Sequence, residues 1–210
     1  MNPTSVNPWV FVLSISTLIY VSSPTSLPLF DRVLDANGEP LSPSGGYIIL
    51  PAKGGTGGGV NLGDIGHNKT CSSGAIQQPD SKTSGFPVMF SPLDGSDFIR
   101  LSSDMNIIFG FALVLMTPSN STPCWKTPVW QISLDKRTKQ YLVMTGGKEG
   151  SGDSSSLFKI EKMGKDYVFV FCPTVCPTCR VICRNVGIYN DNGVRRLALR
   201  DAPFRVKFSR

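Results

Sequence analysis

The sequence lacks most of what an enzyme site is built from. It has a single histidine, His67, in 210 residues, which excludes metal sites that need two or three histidine ligands and sites that combine a histidine base with a histidine ligand. The G-x-S-x-G motif, which presents a serine nucleophile on a sharp turn, is also missing. We therefore expect no catalytic residues, no resident metal and no cofactor, and we do not expect an enzyme.

Charge is scarce, and neither sign dominates strongly. Asp, Glu, Lys and Arg make up 17% of the chain, against about 25% in average globular proteins. The 21 basic and 15 acidic residues give a net charge of +6. The densest basic cluster, Lys136-Arg137-Thr138-Lys139, is short and is typical of a solvated basic face. We expect no nucleic acid partner.

Two other segments that resemble functional motifs are better explained as loops. Residues 54–59 are rich in glycine, but they lack the Lys-Ser/Thr ending of a phosphate-binding loop and open no predicted helix. Asp94 and Asp97 flank Gly95-Ser96, which is ordinary turn composition. The sequence predicts surface loops at both places.

The chain also has no hydrophobic run of membrane-spanning length. Its longest apolar run, residues 11–21, is shorter than the roughly 20 residues that a membrane helix needs, but it fits the core of a signal peptide. Small residues follow at Ser22, Ser23 and Ser26. We predict a signal peptide over residues 1–26, with cleavage somewhere in 22–26, and one domain over 27–210. We expect a secreted protein with no membrane segment.

Helical periodicity is missing after residue 30, and short β-rich segments separated by Gly, Pro, Asn and Asp take its place. Turns such as Asp191-Asn192-Gly193 and Met163-Gly164-Lys165-Asp166 predict hairpins. About twelve strands in this length indicate an all-β barrel or sandwich. Similar hairpins recur every 50–60 residues, which suggests a weak threefold repeat. The segments read as strands include 47–50, 98–101, 106–111, 129–134, 140–144, 157–161, 167–171, 186–189, 195–199 and 204–208.

Six cysteines in a secreted chain indicate disulfides. The last four follow a C-x3-C-x2-C-x3-C pattern, which in a cytosolic protein would also suit zinc. Fifteen pairings are possible. The symmetric spacing favours Cys172–Cys183 around Cys176–Cys179, which leaves Cys71–Cys124 to close a long loop. Sequons at Asn68 and Asn120 predict N-glycosylation on surface loops.

Several motifs together resemble the plant Kunitz-type (soybean trypsin inhibitor) family, in particular its miraculin-like branch. The resemblance runs from about residue 32 to the end of the chain and is carried by residues 33–41 followed by 47–50, by 98–107, 127–130 and 156–161, and by the cysteine-rich 171–183 with 186–189 and 195–199. It implies a β-trefoil of twelve strands, and it implies the same three disulfides that the spacing favours.

The resemblance also implies inhibition of a protease by an exposed, extended loop that enters the protease cleft as an added strand. We expect this loop within residues 84–97 and take Pro87, Val88, Met89 and Phe90 as the candidate inhibitory residues. The alternative is that Val88 and Phe90 alternate inward on a strand.

The candidate loop departs from the pattern of trypsin-directed relatives in three ways, one of which is that it is shorter than in soybean-type members. Those relatives carry Arg or Lys at the residue that fills the specificity pocket, and none stands between Lys82 and Arg100. The asparagine that supports the loop in the family is replaced by Pro43, which has no side-chain amide. An apolar side chain would instead suit chymotrypsin, elastase or subtilisin.

Other targets and roles stay open. Some relatives restrain papain-like cysteine proteases or aspartic proteases through other loops. A different role, as a storage protein or as a carbohydrate- or ligand-binding module, is the second hypothesis. We expect a monomer, because the cysteine that links two chains in one relative has no counterpart around Lys162–Lys165. The expected role is plant defence, against an endogenous protease or one from a pest or pathogen, or storage. The compartment stays open among the apoplast, the cell wall and the vacuole, because no retention signal stands at residues 208–210.

Overall fold

The computed structural model describes residues 31–52, 54–64, 73–110, 127–150, 152–175 and 182–210. These ranges contain twelve β-strands and a one-turn 3-10 helix at Ser154–Ser156, so the predicted all-β class is confirmed. None of the helical structure in these ranges is long and apolar enough to cross a membrane. The strands are β1 (Tyr47–Pro51), β2 (Val60–Asp64), β3 (Ser73–Gln77), β4 (Pro87–Pro92), β5 (Met105–Phe109), β6 (Trp130–Asp135), β7 (Gln140–Thr145), β8 (Lys159–Met163), β9 (Asp166–Phe171), β10 (Arg184–Asp191), β11 (Val194–Arg200) and β12 (Val206–Ser209).

Strands β1, β4, β5, β8, β9 and β12 form a closed ring of antiparallel pairs. β1 pairs with both β4 and β12, β4 pairs with β5, and β9 pairs with both β8 and β12. The ring closes between β5 and β8, where the backbones of Met105 and Phe158 exchange two hydrogen bonds of 2.9 Å. Closure leaves these strands without a free edge and makes a barrel.

The other six strands form three hairpins, β2–β3, β6–β7 and β10–β11. One strand of each hairpin meets the other two, because β3 pairs with both β7 and β11, and β7 also pairs with β11. The chain thus repeats one unit three times, with two barrel strands enclosing one hairpin. This arrangement is a β-trefoil, and it bears out the threefold repeat suggested by the sequence.

Local turn chemistry explains the tightest hairpins. Asn192 and Gly193 connect β10 to β11 with φ angles of 50° and 88°, which is the left-handed conformation that such two-residue turns require. Gly164, at φ 65°, begins the turn between β8 and β9. The basic cluster at residues 136–139 forms the turn between β6 and β7, where Arg137 is hydrogen-bonded to Asp191.

Aromatic side chains fill the barrel. Trp130 is fully buried, and its ring centroid lies 5.4 Å from that of Phe109, 6.0 Å from Phe158 and 5.8 Å from Phe169. Phe90 packs edge-on against Phe208, with 5.6 Å between the centroids. Such a core holds the ends of the barrel strands, and so the loops that leave them, in fixed positions.

Three sequence-based assignments differ from the structure. Residues 98–101, predicted as a strand, form only an isolated bridge from Arg100 to Arg32. β2, β3 and β4 lie outside the segments that the sequence analysis names as strands. In residues 54–59, predicted as a surface loop, Gly58 and Gly59 are buried, and a Cβ on Gly59 would lie 1.8 Å from the carbonyl oxygen of Ser84. Glycine there permits close backbone packing.

The structure forms the disulfide between Cys172 and Cys183, the outer pair favoured by the spacing. The bond links the end of β9 to the start of β10. The predicted pairs Cys71–Cys124 and Cys176–Cys179 lie outside the described residues, as do the sequons at Asn68 and Asn120 and the predicted signal peptide over residues 1–26.

Candidate functional site

The four candidate inhibitory residues do not form an exposed loop. Pro87, Val88, Met89 and Phe90 begin strand β4, where Val88 is 0% and Phe90 1% exposed. Strand alternation directs these two side chains into the barrel and leaves Met89, which pairs with Ile108 of β5, on the other face. Val88 and Phe90 are therefore not accessible to a protease, as the inward alternation considered for them indicates, whereas an inhibitory role for Pro87 or Met89 stays a prediction.

Within the predicted loop region 84–97, exposed residues lie at Ser84, before β4, and in the segment directly after β4. Residues 93–97, here called the 93–97 loop, leave the barrel at the end of β4 and lead back toward β5. Asp94, Gly95 and Asp97 are exposed, whereas Leu93 and Ser96 are half-buried. The sequence signal that marks this loop is the Asp-Gly-Ser-Asp composition of residues 94–97, which by itself indicates only an ordinary turn.

A backbone hydrogen bond closes the base of the 93–97 loop. The N–H of Leu93 donates to the carbonyl oxygen of Asp104, at 3.0 Å. The Asp104 carboxylate is held in turn by the backbone N–H of Thr174, at 2.9 Å, and by the Thr174 hydroxyl, and it lies 3.9 Å from the ammonium group of Lys159. The base is therefore tied to the segment next to the Cys172–Cys183 disulfide.

The N-terminal segment anchors the other side of the loop. Ile99, fully buried, donates its N–H to the carbonyl oxygen of Leu41 and accepts from the N–H of Val33, both at 2.9 Å. The guanidinium group of Arg32 lies 4.0 Å from the ring centroid of Phe98. Residues of the family signature at 33–41 thus act as a backbone clamp on the chain that leaves the loop.

Inside the loop, Asp94 organises a tight turn. Its Oδ1 accepts a hydrogen bond of 3.0 Å from the N–H of Ser96, and its Oδ2 lies 3.8 Å from a guanidinium nitrogen of Arg100. Gly95 has a φ of 66°, which favours glycine. Two exposed carboxylates, Asp94 and Asp97, give the loop surface a negative charge.

Pro43 occupies a turn and contributes to it through its backbone. The turn spans residues 42–45, and the N–H of Gly45 donates to the carbonyl oxygen of Ser42 at 3.1 Å. Proline suits the second position of such a turn because its φ is already restricted. The 93–97 loop is anchored by the backbone contacts of Leu93 and Ile99, and a side-chain amide at position 43 is not part of that support.

The part of the chain that the structure describes contains no cluster of three His, Cys, Asp or Glu side chains able to hold a metal ion. The chemistry that the 93–97 loop can perform is recognition: it presents an exposed backbone, one half-buried apolar side chain and two carboxylates from a rigid support.

Comparisons with known proteins agree with this fold. The Kunitz legume family, described as "Trypsin and protease inhibitor", matches residues 33–210. "Kunitz trypsin inhibitor 5" of Arabidopsis thaliana is 37% identical over 206 residues, which cover 96% of this chain and 96% of that protein. "Miraculin" of Synsepalum dulcificum is 38% identical over 190 residues, which cover 85% and 82% of the two chains.

Among solved structures, the Kunitz-type cysteine protease inhibitor PCPI-3 from potato is similar to this chain, with a TM-score of 0.65 and 32% sequence identity over 85% of this chain and 96% of that one. The family match covers the barrel, the three hairpins and the clamped 93–97 loop. Both the sequence and the fold therefore show that this chain belongs to the plant Kunitz inhibitor family.

Proposed function

We propose that this protein inhibits endopeptidases and that the 93–97 loop is the segment that enters the protease cleft. The observation that carries the proposal is the double anchoring of an exposed loop, by Leu93 at its base and by Ile99 beyond it. The protease inhibitors among the relatives support an inhibitory role for this chain as well.

The anchoring matters because binding a flexible loop costs conformational entropy. A loop that is already held in its bound shape avoids much of that cost, and its exposed backbone can add a strand to the sheet edge of a cleft. Rigid support also keeps the two ends of a cut loop close together, which favours resealing of the bond over release of the products. This is how a substrate-like segment can act as an inhibitor.

The side chains of the loop favour targets other than trypsin. The specificity pocket of trypsin contains a carboxylate and binds Arg or Lys, whereas the loop offers Asp94 and Asp97, which that pocket would repel. Leu93 is the apolar side chain of the loop and suits the hydrophobic pocket of chymotrypsin or the related pocket of subtilisin. We assign Leu93 as the residue that enters the pocket.

Titration of the purified mature protein against trypsin, chymotrypsin, subtilisin and papain tests the proposal. We expect near-stoichiometric inhibition of chymotrypsin or subtilisin and none of trypsin. Leu93→Ala should weaken that inhibition by at least about tenfold, because a filled pocket contributes more than 1.4 kcal/mol. Met89→Ala, on the outer face of β4, is the matched control and should leave inhibition unchanged.

A gain of function sharpens the assignment. Leu93→Arg should create measurable trypsin inhibition, because it supplies the cation that the trypsin pocket binds. Leu134→Arg, the same change at an exposed position outside the loop, should not. Equal inhibition by the Leu93→Ala variant and the parent protein would contradict the role of the loop, and inhibition of papain alone would move the site elsewhere on the trefoil.

A non-inhibitory role, in storage or in ligand binding, is the second candidate. The observation that favours it is the acidic surface of the 93–97 loop, where Asp94 and Asp97 are the most exposed side chains. Failure to inhibit any of the four proteases would make this role the better explanation.

We also propose that the protein enters the secretory pathway and acts as a monomer outside the cell or in the vacuole. N-terminal sequencing of the protein isolated from its source should give a mature chain that starts shortly after residues 22–26, and light scattering should give the mass of one chain. A mature chain that still begins at Met1 would contradict the proposed signal peptide.

A further inference from the structure

A pocket of about 420 Å³ lies on the trefoil, made by elements other than the 93–97 loop. It is formed by the connection between β1 and β2, by the β10–β11 hairpin and by the connection between β11 and β12. The volume is in the range of small-molecule sites. The residues that define its character are Ala52, Thr56, Ile188, Arg195, Phe204 and Arg205.

Arg195 brings a positive charge to the pocket, and no carboxylate in the part of the chain that the structure describes neutralises it. Its Nε and Nη2 donate to the side-chain oxygen of Gln77, at 2.9 and 2.6 Å, and Nη2 also lies 3.4 Å from the carbonyl and hydroxyl oxygens of Thr56. All of these acceptors are uncharged. No carboxylate of the described ranges forms an ion pair with this guanidinium group.

Gln77 holds Arg195 and one wall of the pocket in place together. Its side chain is 1% exposed, and its amide nitrogen donates to the carbonyl oxygens of Thr56, at 2.7 Å, and Gly58, at 3.1 Å. One buried amide thus connects the glycine-rich segment to the guanidinium group. A charged donor in a fixed position loses little freedom when it binds an anion.

Arg205 adds a second cation to the same pocket. It is half exposed, and its Nη2 lies 2.6 Å from Oδ2 of Asp166, so its charge is partly balanced. Its carbonyl oxygen accepts a 2.9 Å hydrogen bond from the N–H of Ala52, which joins two walls of the pocket. The net charge that the pocket presents comes mainly from Arg195.

Apolar side chains form another part of the wall. Phe204 and Ala52 are nearly buried, and Ile188 is partly buried and packs against the core of the barrel. Apolar walls with a few fixed polar groups are typical of sites for small organic ligands, in which the walls hold the ligand body and the polar groups set its orientation.

We propose that this pocket binds a small organic oxyanion, in which an apolar body lies against Ile188 and Phe204 and a carboxylate, sulfate or phosphate group pairs with Arg195. Nε and Nη2 of Arg195 face Gln77, so Nη1 is the nitrogen that would donate to the oxyanion, in a charge-assisted hydrogen bond. The proposal is independent of the inhibitory role, because the pocket shares no residue with the 93–97 loop.

Naphthalene-2-sulfonate is a suitable probe, since it combines an aromatic body with an oxyanion. We expect it to bind the mature protein with a Kd below about 1 mM in calorimetry. Inorganic sulfate supplies only the anionic group, and 2-naphthalenemethanol supplies only the body. Each should bind at least about tenfold more weakly than the probe. If sulfate bound as tightly as the probe, the pocket would recognise only the anionic group. If the alcohol bound as tightly as the probe, Arg195 would not contribute to binding. Either result would overturn the proposal.

Three variants test whether the probe binds in this pocket. Arg195→Gln should weaken probe binding by at least about tenfold, since it removes the charge-assisted contact. Ala202→Trp, at the exposed rim, should block the pocket without changing either arginine. Lys136→Gln, an equal loss of charge in the exposed turn between β6 and β7, is the control and should bind the probe normally.

The melting temperature of each variant shows whether it is folded, and Ala202→Trp keeps the test decisive if Arg195→Gln unfolds. Equal weakening by Arg195→Gln and Lys136→Gln would indicate non-specific attraction to a basic protein and would overturn the proposal. Normal binding by folded Ala202→Trp, or no probe binding by the parent protein at about 10 mM, would overturn it as well.

Discussion

The 93–97 loop and the arginine pocket are built on the same barrel by different means. The loop carries negative charge and is held by backbone hydrogen bonds at Leu93 and Ile99. The pocket carries positive charge, and one buried side chain, Gln77, connects its walls. Backbone anchoring tolerates substitution of the anchored side chains, whereas a side-chain anchor does not. The loop can therefore change its specificity without losing its shape, whereas the pocket depends on one pair of residues, Gln77 and Arg195.

The largest effect should come from removing the support that both regions share. Trp130→Ala empties the centre of the aromatic core, and we expect a loss of about 3–5 kcal/mol in the free energy of unfolding. Protease inhibition and probe binding should then be lost together in thermal or urea titrations, because both depend on the barrel. Leu134→Ala, in the same strand but 48% exposed, is the control and should cost far less. Full stability of Trp130→Ala would contradict the described core.

The second change should separate the two regions. Replacing both Cys172 and Cys183 by serine removes the observed disulfide, and we expect a loss of about 3 kcal/mol for a loop of this length. Thr174, which lies between these cysteines in the chain, holds Asp104 at the base of the 93–97 loop. Hydrogen exchange should therefore accelerate more at the backbone N–H of Leu93 than at the backbone N–H of Gln77. Equal acceleration at both sites would show that the disulfide does not support the loop selectively.

A change at Gln77 should affect the opposite region. Gln77→Leu leaves the partners of a buried amide unsatisfied, and we expect a loss of about 1–3 kcal/mol in stability. Probe binding should be lost, since Arg195 is no longer held, while protease inhibition stays normal at temperatures where the variant is folded. Retained probe binding would mean that Arg195 does not need this partner.

The smallest effect should be a pH-dependent loss of stability on replacement of Asp153, which belongs neither to the 93–97 loop nor to the arginine pocket. Asp153 caps the 3-10 turn and accepts hydrogen bonds from the backbone N–H of Ser155 and from the hydroxyls of Ser155 and Ser156. Burial acts to raise the pKa of this carboxyl, but the hydrogen bonds outweigh it and hold the pKa below its ordinary value of 3.8. The stabilisation is therefore present above that value and is lost as the pH falls through the pKa of the folded state.

Asp153→Ala should cost about 1 kcal/mol in stability at neutral pH. The difference from the parent protein should shrink in urea titrations at progressively lower pH, below about 4. Glu149→Ala removes a carboxylate from a nearby exposed position and should show neither effect. A stability difference for Asp153→Ala that stays constant down to low pH would contradict the role assigned to the charged carboxyl.

Local chemistry explains which parts of the fold could be predicted from the sequence. The turns at Asn192-Gly193 and at Gly164 could be predicted, because few residue types other than Gly and Asn tolerate positive φ angles. β2 was not predicted, because Val-Asn-Leu-Gly-Asp includes a glycine and two turn-forming residues. Its pairing with β3 defines it as a strand, and that pairing is a tertiary effect.

The position of the candidate site also could not be predicted exactly from the sequence. Val88 and Phe90 show the alternation of a buried strand. The resemblance to the family, however, indicates only a loop region of fourteen positions, 84–97. Within that region the apolar residues 87–90 are the candidates because they would suit the pocket of chymotrypsin, elastase or subtilisin. The strand pattern decides where the barrel ends and the loop begins. The pocket had no sequence signal, since Gln77 and Arg195 are 118 residues apart in the chain.

The most direct test of the central claim is to map the first peptide bond that a target protease cuts. The mature protein would be incubated with a catalytic amount of chymotrypsin or subtilisin, whichever it inhibits, and the new N-terminus identified by mass spectrometry. We predict one slow cut inside the 93–97 loop, with the rest of the chain intact. A first cut in any other segment of the inhibitory protein would contradict the assignment of this loop.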